Sequence, residues 1–237
     1  MVSDRQVGAS AGQVAASDGK TSIPDDVAAV VRRYRRTERL LTGALLVVVL
    51  GAVGAALVAL PVVPALVVAL AAAVAVRAPL FRTGGTAQLR TDASPETVRA
   101  DFAGATPPVL AFQWGVADSV DATADGGRYE LSALFGLWSV TMETATGRGG
   151  EGATADRDGV APLELRVTAG GQPWGAYDVV TREHDGVTVV DVTVTSERRF
   201  GLRRLPQWVA AEHHRADALA AQGYTVVERD VRPRFRG

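Results

Sequence analysis

From Leu40 to Val76 the chain carries no charged residue. The run reads LLTGALLVVVLGAVGAALVAL, breaks at Pro61-Val62-Val63-Pro64, and resumes as ALVVALAAAVAV. In hydrocarbon a backbone must satisfy its own N–H and C=O groups, so such a run reads as helix, at about 20 residues per crossing. Its length and the central prolines predict a transmembrane helical hairpin, about 40–60 and 62–80, within an anchor region 40–81. Gly51, Ala55 and Ala59 recur every four residues, as do Ala65, Ala69 and Ala73, giving small faces over which two helices pack closely. No ionisable group lies between Leu40 and Val76, which argues against a transporter or proton relay and for a simple anchor.

Arg32, Arg33, Arg35, Arg36 and Arg39 precede the first span, Arg77 and Arg82 come after the second, and the connection between them is uncharged. The positive-inside rule therefore predicts two passes with the N-terminus and the C-terminal domain cytoplasmic. The five clustered arginines are candidates for contact with anionic lipid headgroups, and they also suffice to set topology alone. Paired arginines before an apolar run resemble a twin-arginine export signal, but a signal core is about 7–15 residues long and this run far exceeds it.

Beyond the apolar run the chain is long enough for one soluble domain, expected over 83–237. Without cysteine, disulfides, thiol catalysis and thiolate metal sites are excluded. Residues 1–82 carry nine Lys+Arg against five Asp+Glu, and 83–237 carry sixteen against twenty-one. A domain of net charge −5 is a poor partner for nucleic acid, which demands clustered cations. Lys20 is the only lysine, a usage that suggests a GC-rich genome and is silent on mechanism.

Residues 1–23 are Ser-, Gly- and Ala-rich without apolar period and read as a disordered tail. Ser22-Ile23-Pro24-Asp25-Asp26 is a helix-start pattern, predicting a juxtamembrane helix over 24–39. Phe81–Gly85 reads as a linker and Thr86–Thr91 as a first strand. Ser94-Pro95-Glu96-Thr97 then caps a short helix with Val98 and Phe102 on one face, and a helical turn is placed at Val109–Phe112. From Gly115 the period becomes two, giving strands at Val116–Ala122, Arg128–Leu134, Leu137–Thr146, Leu163–Thr168, Trp174–Glu183 and Val187–Arg198. Gly147–Gly159 reads as a mobile loop, Pro206–Gln222 as a long last helix, and Tyr224–Val231 as a final strand or extended tail.

The order strand, short helices, six antiparallel strands and a long helix resembles the START-like, or SRPBCC, superfamily, which includes polyketide cyclases and lipid-transfer domains. The resemblance rests on Thr86–Thr91 followed by Ala93-Ser94-Pro95-Glu96-Thr97-Val98, and on the Pro206–Gln222 helix. It spans about 83–230, and the fused hairpin and extra C-terminal strand depart from the family pattern. It implies an α+β helix-grip fold, an antiparallel sheet wrapped on the C-terminal helix around an apolar cavity, and so a lipid or other hydrophobic small-molecule ligand.

Leu205, Trp208, Val209, Ala216 and Leu219 share one arc of the last helix, and Glu212 falls at its centre. A carboxylate there is either a polar group of a cavity, a base with raised pKa, or one half of a structural pair with a sheet arginine such as Arg166 or Arg182. His213 and His214 diverge by about 100° and cannot share a metal; His214 is expected to face solvent and His213 to flank the apolar face. With His184 in a turn, no metal or catalytic-triad spacing is present, and no cofactor is expected. Trp114, Tyr129, Trp138, Met142, Trp174 and Tyr177 are the candidate cavity-lining residues alongside Glu212.

The leading expectation is thus a membrane-anchored, non-enzymatic binding domain for a lipid or apolar molecule, with the bilayer as partner. The competing classes are a cyclase- or hydrolase-type enzyme using Glu212, and a structural membrane protein with a protein-binding, pleckstrin-like β-domain. The pleckstrin-like layout has no helix between its first two strands.

Overall fold

The computed structural model describes residues 23–133, 138–148, 162–196 and 199–235. The expected tail and most of the Gly147–Gly159 loop lie outside them. An α+β architecture results: an eight-stranded, wholly antiparallel sheet with helices packed against it. A single helix α1 (Asp25–Ala59) takes in both the juxtamembrane segment and the first apolar stretch, and α2 (Val62–Arg77) comes after Pro61. α1 is long and apolar enough to cross a membrane. Its apolar part is strongly exposed, with Leu40, Val47 and Val58 at 69%, 70% and 90%.

Strand β1 (Phe81–Thr91) begins five residues before the expected position, because Gly84 and Gly85 lie inside the strand and not in a linker. α3 (Pro95–Ala103) starts as its sequence dictates: the Ser94 hydroxyl accepts from the Thr97 amide, and Val98 and Phe102 are fully buried. A 3-10 turn (Pro108–Leu110) and α4 (Ala111–Trp114) lead into β2 (Ser119–Thr123), β3 (Gly126–Ala133), β4 (Trp138–Arg148), β5 (Leu163–Ala169), β6 (Gln172–His184) and β7 (Val187–Thr195). A second 3-10 turn (Leu202–Arg204), α5 (Leu205–Ala220) and β8 (Thr225–Phe235) complete the chain.

The strand order is β2-β3-β4-β5-β6-β7-β1-β8. Consecutive strands from β2 to β7 pair as hairpins; β1 then closes against β7, and β8 returns to cover the free edge of β1 along its whole length. The undecided Tyr224–Val231 segment is therefore a strand from Thr225 onward. Alternation buries one face: Tyr177, Val179 and Thr181 on β6, with Thr188, Val190 and Val192 on β7. The opposite face is polar, with Gln88 donating to Asp191 at 2.9 Å and Arg182 paired with the same carboxylate.

Against the buried face lie α3, α4 and α5, and the first turns of α1 pack on α4 and α5. Val27, Val30, Val31 and Tyr34 belong to the same core cluster as Phe102, Trp114, Tyr129, Leu165 and Val190. The Tyr34 ring stacks on Phe112 at 4.5 Å between centroids, and Arg35 donates to the Val116 carbonyl at 2.8 Å. The first turns of α1 thus belong to the domain's core, as a further layer over α5.

Candidate functional site

Two rows of side chains cross the covered face of the sheet. Tyr177, Val194, Gly85 and Val231 stand opposite one another on β6, β7, β1 and β8; Val179, Val192, Ala87 and Arg229 form the next row. Gly85 and Ala87 add little bulk at the middle strand, and the space above is filled by polar side chains from α5. Gly85 is required there: its φ is +147°, and a Cβ would fall on the Asp230 carbonyl of the neighbouring strand.

Arg229 reaches across this row and grips Glu212 with both arms, Nε to Oε1 at 2.5 Å and Nη2 to Oε2 at 2.9 Å. Arg215, one turn further along α5, lies 3.5 Å from Glu212 through its Nε, which is buried and has no hydrogen-bond acceptor among the described residues. Its Nη1 makes only a long contact to the Val109 carbonyl, 3.4 Å, and its guanidinium sits 5.9 Å from the Phe112 ring centre. Two guanidiniums thus face one carboxylate, leaving one positive charge inside the domain. Burial alone would raise the Glu212 carboxyl, but the Arg229 hydrogen bonds and the two cationic neighbours outweigh it and hold the group below its usual range. Burial and the charge of Arg229 lower the Arg215 guanidinium in turn. Burial also pushes the Tyr177 phenol up, against the pull of Arg215 and Arg229, so this hydroxyl stays protonated as a donor.

Glu212 is therefore an ionised, half-buried partner in a pair, and not a base of raised pKa. Its partners are Arg229 and Arg215; Arg166 pairs with Glu164, and Arg182 with Asp191. The expected face of α5 is also rotated. Pro206, Ala210, His214, Ala218 and Leu219 are buried, whereas Ala216 is exposed and Val209 is 40% exposed. The cause is a second covering layer, since α1 packs along α5 on the side away from the sheet. His214, expected in solvent, is buried there and shares a 2.9 Å hydrogen bond between its Nε2 and Thr37 Oγ1, while His213 is exposed. Burial, His213 and Arg33 together lower the His214 pKa against the pull of Asp217.

Of the expected cavity residues, Trp114, Tyr129, Met142 and Tyr177 join one core cluster, and Trp174 packs at its edge against Phe200, 6.3 Å between rings. The Trp138 side chain lies outside what the structure describes. Trp114 and Tyr129 serve the frame: Trp114 Nε1 donates to the Pro107 carbonyl and the Tyr129 hydroxyl to that of Ala105, each at 2.9 Å. Burial pushes the Tyr129 phenol up to about 12. An open cleft of about 370 Å³ lies elsewhere, between α3 and the end of α5, lined by Asp101, Gln222 and Tyr224 and by none of these residues. Arg32, Arg33, Arg35, Arg36 and Arg39 are all exposed on α1.

Arg215 and Arg229 were not singled out by sequence reasoning. The signal available was an arginine one turn after Glu212, and a strand after the last helix that brings a second arginine to the same carboxylate. No protein-family model matches the chain, and no curated protein matches it.

Proposed function

We propose that this chain is a membrane-anchored binding domain for a lipid or other hydrophobic small molecule with an anionic head. In this reading the domain is START-like and helix-gripped, and the chain crosses the bilayer twice, over about 40–60 and 62–80. Its tail and domain lie on the cytoplasmic side.

The observation that carries the ligand class is Arg215, a cation on α5 whose buried Nε has no acceptor among the described residues and only a shared claim on Glu212. Desolvated charge of this kind is costly unless paired, and a carboxylate or phosphate would complete the pairing, with the Tyr177 hydroxyl as a second donor. Val179, Val192 and Val231 supply buried apolar surface in the same two rows of the sheet. Catalysis by Glu212 is disfavoured by its bidentate engagement, and the pleckstrin-like layout by α3, a helix between the first two strands.

The test is purification of the full chain in mild detergent, then mass spectrometry of the small molecules it retains. An acidic lipid or apolar acid is expected with the native chain and at least tenfold less with Arg215→Met. Equal small-molecule content in the two proteins would sink the proposal. Because the chain lacks cysteine, single cysteines placed at Val63 and Arg232 read topology directly: an impermeant thiol reagent should label the first in intact cells and the second only after lysis.

A further inference from the structure

Four segments distant in sequence converge where the apolar helices leave the domain. α2 ends at Arg77, and the turn before α5 packs directly on that end. A Cβ at Gly201 would stand 2.9, 3.1 and 3.0 Å from the carbonyl oxygens of Val76, Arg77 and Ala78. The amides of Leu80 and Phe81 donate to the Phe200 carbonyl at 2.9 and 3.1 Å, and the Phe200 amide donates back to Phe81 at 2.7 Å. β1 starts here, with Phe81 opposite Phe235 and Arg82 opposite Arg234. On the α1 side, Arg204 donates to Gln207 at 2.6 Å and Gln207 to Glu38 at 2.7 Å, so the same turn is tied to the point where α1 becomes apolar.

This convergence gathers Arg39, Arg77, Arg82, Arg199, Arg203 and Arg234, all exposed. Among the described residues none of the six has an ion-pair partner. The sequence places no Asp or Glu between Glu38 and Asp92, between Arg199 and Ala211, or after Asp230. Arg82 and Arg234 are direct cross-strand neighbours, an arrangement of like charges that is unfavourable unless an anion counters it. All this sits on a domain whose net charge is otherwise negative, one residue from the exposed apolar surface that begins at Leu40.

Topology does not account for the cluster. Orientation is set by cations within about 15–20 residues of a span, and Arg199, Arg203 and Arg234 come from the far end of the chain. We propose that this arginine collar binds the phosphate-bearing headgroups of anionic phospholipids and so seats the base of the sheet on the bilayer. Guanidiniums suit the task, since each presents paired donors to phosphate oxygens. The proposal rests on the membrane-anchored reading above and is independent of the interior ligand.

To test it, the full chain in mild detergent is incubated with equal phosphatidylglycerol and phosphatidylcholine in mixed micelles, re-isolated, and its retained lipid quantified. The native chain should retain phosphatidylglycerol in excess, and added salt should erode that excess. The triple variant Arg199→Gln/Arg203→Gln/Arg234→Gln should lose it by about tenfold or more, since each surface cation contributes severalfold. Arg128→Gln, on β3 near the other edge of the sheet, should leave it unchanged. Equal retention of the two lipids by the native chain, or an unreduced excess in the triple variant, overturns the proposal. The salt series on the native chain decides the matter even if the variant misfolds. Carbonate extraction of membranes reads insertion separately: release of the chain would refute the anchor itself, whereas a retained chain without lipid preference refutes only the collar.

Discussion

Removing α1 should unfold the domain C-terminal to it. Val27, Val30, Val31 and Tyr34 are exposed by 0%, 7%, 4% and 7%, respectively, and all sit in the main core. At about 1.5–3 kcal/mol per buried apolar side chain, and allowing for residual compactness of the unfolded chain, the four contribute about 4–10 kcal/mol. That is comparable to the whole stability of many domains, about 5–15 kcal/mol. The loss also strips Phe112 of its stacking partner and leaves His214 without Thr37. A fragment of residues 80–237 should accordingly lack a cooperative melt and near-ultraviolet dichroism, and a peptide of residues 23–39 added in trans should restore both saturably. In the full chain, Tyr34→Ala alone should cost about 3 kcal/mol by the cavity it leaves. Were the fragment to melt cooperatively at the temperature of the full chain, the assignment of α1 to the core would be refuted.

Glu212→Gln should destabilise the chain by about 2 kcal/mol in denaturant titration at neutral pH, through loss of the charge-assisted pairing with Arg229. Because the folded Glu212 pKa is depressed, its contribution is full above the unfolded value of about 4.3 and is lost as pH falls through the folded one. The variant should lack that part of acid destabilisation. His214 is likewise depressed, and a base with lowered folded pKa loses stability as pH falls below its unfolded value of about 6.5; His214→Gln should flatten the stability profile in that window. Gly85→Ala should cost at least ~2 kcal/mol and loosen hydrogen exchange in β8, since both its φ and the Asp230 carbonyl oppose a side chain. Ser94→Ala should cost about 1 kcal/mol in melting experiments through loss of the cap on α3.

The strands from β3 to β7 and the start of α3 were legible because their signals are local. A period of two, turn residues such as Asp185-Gly186, and a Ser-Pro-Glu cap decide conformation within a few residues. What failed were statements about partners. Nothing near Gly84-Gly85 announces that β8 will cover them, so a strand beginning looked like a linker. The face of α5 was misjudged because an amphipathic reading assumes one covering layer, and α5 has two: His214 is hidden by Thr37, from the far end of the chain. The same non-locality concealed the site. A carboxylate on a helix announced that it needed a cation, but which arginine answered depended on the register of a strand after the helix, and that register is a property of the whole sheet.

β8 has a consequence for how the molecule is made. β1 is the first strand to be synthesised, and both of its neighbours are among the last: Gly84 pairs with Thr195 on one side and Arg232 on the other. Val27 and Tyr34 likewise wait for elements that emerge much later. Pairings of such long sequence separation form slowly, since the intervening loop must close before any contact rewards it. Until the later strands are made, β1 has two open edges beside the exposed apolar helices. Limited proteolysis of chains stalled before Thr225 should find β1 still cleavable, and only the last eleven residues of strand close it.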